Sequence, residues 1–216
     1  MGTVQIALAA ILAINTAVAG HFFLREAGLE FPDLGERAPV AIASTPGQGN
    51  VMSHIAHQRV LMQCDGVLSP QISRLSVAEQ LRSNAVICRA LAAQILNDIP
   101  TFSFAHFIYG ISALHVGNKG EFIQHIALSQ RFAPSEGWLA QKRFVQLADL
   151  QDATLDQVLI HDAGVLLTTQ SGAELLARYF QRRAGLRGPI KASLLLASAS
   201  DQRRLLNRIA LLVAAT

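Results

Sequence analysis

Hydrophobic and polar positions follow two patterns along this chain. From residue 4 to residue 24 there are 21 residues without a formal charge, polar only at Gln5, Asn15, Thr16 and His21. At 1.5 Å per helical residue that is about 31 Å, one hydrocarbon thickness, which predicts a transmembrane helix in residues 1–26. Residues 27–50 carry Pro and Gly with no helical period and predict an extended stalk. From about residue 51 the apolar residues recur at i, i+3, i+4 and i+7. Within 77–96 the repeating set is Ala85, Ile87, Cys88, Leu91, Ala92 and Ile95. Further helices are predicted at 52–64, 104–116, 121–132, 136–150, 154–168, 172–183, 189–197 and 201–215. Pro100 and Pro134 each close one helix, with Thr101 or Ser103 and then Ser135 positioned to cap the next. No run of alternating polarity is long enough for a strand, so 51–216 is expected to be all-α.

Composition sharpens this picture. The chain has 216 residues, 51% of them apolar and only 15% charged, with mean hydropathy +0.32. It is too apolar to be disordered, and long enough to bury a core beside an appended anchor. A cleaved signal peptide competes with the anchor, because Ala17-Val18-Ala19 precedes Gly20 like a cleavage site. Against cleavage, no Lys or Arg precedes the stretch, and His21-Phe22-Phe23-Leu24 keeps it apolar beyond the cut. Arg25 and Glu26 cancel and say little about orientation. Cys64 and Cys88 are the only cysteines. A disulfide between them would suit an oxidising compartment and put the body outside the cytoplasm; two buried thiols are the alternative.

Charge is unevenly spread. Residues 170–216 hold Arg178, Arg182, Arg183, Arg187, Lys191, Arg203, Arg204 and Arg208 against Glu174 and Asp201, while the remainder is net acidic. This basic third suits anionic lipid, acidic polysaccharide or an acidic subunit, with a solvated helix face as the plain alternative. Nucleic acid is not expected, since the patch lacks an aromatic platform beyond Tyr179 and Phe180.

Catalytic signatures are missing: no nucleophile elbow, no phosphate loop, no paired acids on an evident groove. His54, His57, Cys64 and Cys88 could form a zinc site only at a non-standard spacing, and neither a metal nor a cofactor is expected. His115 and His125 fall on predicted helices as structural or contact residues, and His161-Asp162 has no nucleophile beside it. The expectation is a non-enzyme.

Pro100 and Pro134 are 34 residues apart, with two helices of equal length and a Gly-containing turn between them. In this the sequence resembles the tetratricopeptide repeat, a stacked helix–turn–helix unit of that period. The resemblance covers about residues 69–168. It places Gly110 where the paired helices touch, Gly117-Asn118 on the turn and Ser129 at a late small position. His106 stands where the family usually has Trp, Phe122 where it has Ala, and Ala113 where it has an aromatic. Ser76 and Cys88 fit the preceding unit, whereas Phe144 and Asp156 depart from the following one. The segment Pro134-Ser135-Glu136-Gly137-Trp138-Leu139 is similar to helical proteins of bacterial envelope-polysaccharide systems, which often carry an N-terminal anchor.

The resemblance implies a scaffold that holds a membrane protein complex together by binding a partner on its inner helices. The expected contacts are His106, Tyr109, Ala113 and Trp138, joined by Arg178, Arg182, Arg183, Arg187, Arg203, Arg204 and Arg208. The expected setting is polysaccharide synthesis or export at a bacterial inner membrane, crossed once, with the body in the periplasm. Two other readings stay open. One is a subunit packed laterally through Gly2, Ala9, Ala10, Ala17, Ala19 and Gly20; the other is an enzyme on envelope polymers.

Overall fold

The computed structural model describes residues 54–70, 77–150 and 152–214. The anchor predicted over 4–24 and the stalk over 27–50 lie outside them. None of the described helices is long and apolar enough to cross a membrane.

Among the described residues there are nine α-helices and no strand. They are α1 (His54–Leu68), α2 (Ala78–Asp98), α3 (Ser103–His115), α4 (Lys119–Phe132), α5 (Gly137–Ala148), α6 (Asp156–Leu167), α7 (Gln170–Arg182), α8 (Arg187–Leu196) and α9 (Ala199–Ala214). Single 3₁₀ turns at Ala153–Leu155 and Ala184–Leu186 lead into α6 and α8.

Helix ends differ from the expected caps. Phe102 and Glu136 are the N-cap residues of α3 and α5, and neither offers a side-chain cap. Thr101, Ser103 and Ser135 are therefore not caps. The turn before α4 follows the pattern more closely. Gly117 has φ of 90°, a conformation with little cost only for glycine, and Asn118 Oδ1 accepts from Glu121 N–H.

Through α4 the helices pair in chain order; beyond it α5 packs on α6 and α6 on α7, while α8 packs mainly on α6 and α9 on α7. The closest packing is α3 on α4, followed by α2 on α3. Gly110 makes the first of these contacts possible: a Cβ there would sit 3.3 Å from the Phe122 carbonyl oxygen and 3.4 Å from His125 Cβ. The disulfide Cys64–Cys88 joins α1 to α2, so both sulfurs of the conceivable zinc set are taken.

The odd-numbered helices line up beside one another. His54 meets Phe102 at 4.6 Å, and the Leu68 carbonyl receives a hydrogen bond from His115, so α1 and α3 run parallel. Phe104 meets Trp138 where α3 and α5 begin. Phe144 meets Tyr179, and Asp149 pairs with Arg183, so α5 and α7 also run parallel. Separations across the last two boundaries are 34 residues for Phe104–Trp138 and Asp149–Arg183, and 35 for Phe144–Tyr179. The spacing of the two prolines thus reappears as contacts one helix further along.

Close backbone packing stays within two groups, α1–α4 and α5–α9, and side chains join them. One apolar core runs through both, from Leu61 and Phe104 to Leu139, Leu176 and Leu205. The joint has a polar centre. Arg143 and Asp162 are fully buried and paired twice, Nε to Oδ2 at 2.9 Å and Nη2 to Oδ1 at 2.8 Å. The same guanidinium donates to Ser129 O, Ser129 Oγ and Ala133 O at the end of α4. One side chain on α5 therefore holds α6 by its carboxylate and α4 by its last carbonyls, where a cation also suits the helix dipole. Lys142–Asp65 ties α5 to α1, and Lys119–Asp152 closes the outer edge.

Candidate functional site

Two of the cavities among the described residues carry the expected contact residues. The first is an aromatic groove of about 350 Å³ where α1, α3 and α5 begin, walled by His54, Phe102, Phe104, Phe132 and Trp138. Trp138 lies edge-on to buried Phe104, their centroids 5.1 Å apart, and stays 43% exposed. A half-exposed Trp fixed against a buried ring is the type of anchor that dominates protein interfaces.

The second is a cleft of about 290 Å³ between the last turns of α5 and α7, with Pro70 at the end of α1 on its edge. Arg178, Arg182 and Arg183 line it with Asp149, Tyr179, Leu175 and Val145. Arg183 is spoken for, donating to Asp149 at 2.8 Å. Arg178 and Arg182 are exposed one turn apart on α7, and no acidic side chain among the described residues pairs with them. On the opposite face of α7, Ala173, Leu176 and Ala177 are buried.

The other expected contact residues divide by what they touch. Ala113 is fully buried and His106 nearly so, which removes both from any partner-facing surface. The resemblance implied that they faced the inner side of the stack. Instead, His106 and half-buried Tyr109 turn toward the seam of α2 and α4. There His106 Nδ1 lies 3.0 Å from His125 Nδ1, His125 stacks on Tyr109 at 4.0 Å, and Arg89 sits over the Tyr109 ring while pairing with Glu121.

The hydrogen bonding of the histidine pair sets its tautomers. His106 Nε2 is 2.9 Å from the Pro100 carbonyl, which can only accept, so Nε2 carries the proton. Its Nδ1 then accepts from His125 Nδ1–H, and both rings are neutral. Burial pushes His106 below the usual histidine value. His125 falls further, to about 4, through burial and then the nearby His106, with Glu121 opposing. This is a structural unit rather than a base facing a cavity.

The remaining basic residues are largely engaged. Arg187 lies over the Phe180 ring and donates to the Phe180 carbonyl. Arg204 donates to the Leu167 carbonyl at the end of α6 and pairs with Asp201. Arg203 donates to Ala199 O one turn back on the exposed face of α9, and Arg208 is half-buried on that helix. The basic third thus divides into internal supports at Arg183, Arg187 and Arg204 and exposed cations that include the cleft pair Arg178 and Arg182. His161 stands 3.7 Å from Asp162, whose carboxylate is committed to Arg143.

Arg143 is the functional-looking residue that sequence reasoning passed over. A lone Arg at the edge of an apolar stripe reads as snorkelling, and only its position against Ser129 and Asp162 shows otherwise. No known protein family, curated protein or solved structure matches the chain.

Proposed function

We propose that this chain is a non-catalytic, membrane-anchored accessory subunit whose helical body binds a partner protein. The observation that carries this is the aromatic groove where three helices start side by side, with Trp138 held half-exposed against Phe104. Side-chain contacts link α3 to α5 and α5 to α7 at separations of 34 or 35 residues, which supports a tetratricopeptide-like stack. Such stacks bury a shared core and leave an extended face for a segment of another protein.

The setting we propose is the bacterial envelope, with the body in the periplasm and polysaccharide synthesis or export as the process. The Cys64–Cys88 bridge favours an oxidising compartment. The uncharged stretch over 4–24 favours a single membrane anchor.

The test is a mild-detergent pull-down of tagged full-length protein from its native membranes, repeated with the 4–24 stretch replaced by an unrelated anchor. The proposal expects a stoichiometric partner in both, lost on Trp138→Ala. A partner lost with the anchor swap but kept by Trp138→Ala would place binding in the membrane and overturn this reading.

A further inference from the structure

We propose that the cleft between α5 and α7 is a binding site for a phosphate monoester, with Arg178 and Arg182 as its two cationic arms. Among the described residues, three guanidinium groups meet one carboxylate there, and that carboxylate is paired with Arg183. Arg178 and Arg182 are like charges at i and i+4, an arrangement that weakens a helix unless something else stabilises it. The dipole at the end of α7 favours Arg182, which lies in the last turn, and does less for Arg178 one turn earlier. An anion seated between them would relieve the repulsion.

Charge selects the class of anion. Two unneutralised guanidinium groups match a dianion, which a phosphate monoester is above its second pKa of about 6. A carboxylate or a phosphodiester carries one charge and would leave one arm uncompensated. Arginine forks also suit phosphate oxygens geometrically. The cleft is not wholly polar: Leu175 forms part of its wall and Tyr179 stands beside the arms. A volume of about 290 Å³ leaves room for the phosphate and a small carbon skeleton. The same chemistry occurs on a soluble phosphorylated metabolite and on a monoester lipid headgroup.

Binding to full-length protein in detergent is measured by calorimetry with glycerol 3-phosphate. Co-sedimentation is then run with vesicles containing phosphatidic acid (a monoester) or phosphatidylglycerol (a diester). Support is saturable binding of glycerol 3-phosphate, or a preference for phosphatidic acid over phosphatidylglycerol; the first marks a soluble source and the second a lipid source. Either must weaken at least tenfold in the Arg178→Gln/Arg182→Gln variant. It must also weaken as pH falls from 7.5 to 5.5, where the monoester gains a proton. Equal binding of both lipids without saturable binding of glycerol 3-phosphate, binding unchanged in the double variant, or no binding to any probe would overturn the proposal. The double variant lies on an exposed face, and its far-UV spectrum and unfolding midpoint show whether it folds.

Discussion

Removing either partner of the buried Arg143–Asp162 pair should be the most damaging single polar change in this body. Both side chains are fully buried, and the guanidinium reaches α4, α5 and α6 at once. Arg143→Met leaves the buried Asp162 carboxyl without its two guanidinium bonds and with only His161 near it, and burial, which already pushes that carboxyl up against the pull of Arg143, then drives it toward the protonated form. It also leaves Ala133 O without the guanidinium that donates to it, and Ser129 O with the Ala133 N–H alone. Asp162→Leu leaves the opposite charge stranded. Breaking a buried pair from one side costs about 3–5 kcal/mol. A body of this size has about 5–15 kcal/mol in total, so each single variant should lose about a fifth of its stability or more. Replacing both charges removes the stranded ion, and the double variant should lie within about 2 kcal/mol of the parent despite the lost bonds to α4. The assay is urea unfolding of the oxidised protein, followed by the fluorescence of Trp138, the sole tryptophan, and by far-UV dichroism. The predicted coupling between the two sites exceeds about 2 kcal/mol. Single variants costing under about 1 kcal/mol each, or a double variant equal to the sum of the singles, would refute the claim that this pair holds the joint.

Three further outcomes are expected. Because His125 titrates near 4 in the folded chain and near 6.5 when unfolded, the unfolded state binds more protons between those values. Stability should therefore fall as pH drops from 6.5 toward 4, by an amount on the order of 3 kcal/mol, and the gap between unfolding midpoints at pH 7.5 and 4.5 should shrink in His125→Gln, the remainder coming from His106 and His115, which burial also pushes down. Reducing Cys64–Cys88, whose sequence separation is 24, should cost about 3 kcal/mol, read as a reductant-dependent shift in the urea midpoint and absent in Cys64→Ala/Cys88→Ala. At Gly110, Ala adds helix propensity worth up to about 1 kcal/mol but crowds the Phe122 carbonyl, so its net effect on the thermal midpoint should be small. Gly110→Leu should cost about 2 kcal/mol or more by forcing α3 off α4.

Much of the architecture was legible before any coordinates. Periodicity located every described helix within a few residues, because each buries a stripe against a neighbour. Gly117 and Gly110 were readable because one needs positive φ and the other a close approach, and few other residues satisfy either. Caps were read wrongly where Thr101, Ser103 and Ser135 supplied the right chemistry at the wrong position, the backbone having turned in at Phe102 and Glu136. The contact residues were only partly legible. A helix of mixed composition such as α3 does not declare which face meets which neighbour, so His106 and Ala113 were assigned to an exposed side they do not have. Trp138 stays half-exposed because a large ring at a helix start can be only partly covered there. Arginine clustering was visible as charge. The division into internal supports such as Arg204 and the open pair Arg178 and Arg182 depends on carbonyls and carboxylates distant in sequence.

The central claim, that a partner docks where α1, α3 and α5 begin, is tested most directly by photo-crosslinking in living cells. A benzoylphenylalanine is placed at Trp138 in one strain and at Ala90, exposed on α2, in another. The account predicts a discrete light-dependent adduct from position 138 and none from position 90. Adducts of equal strength at both positions, or none at 138, would contradict it.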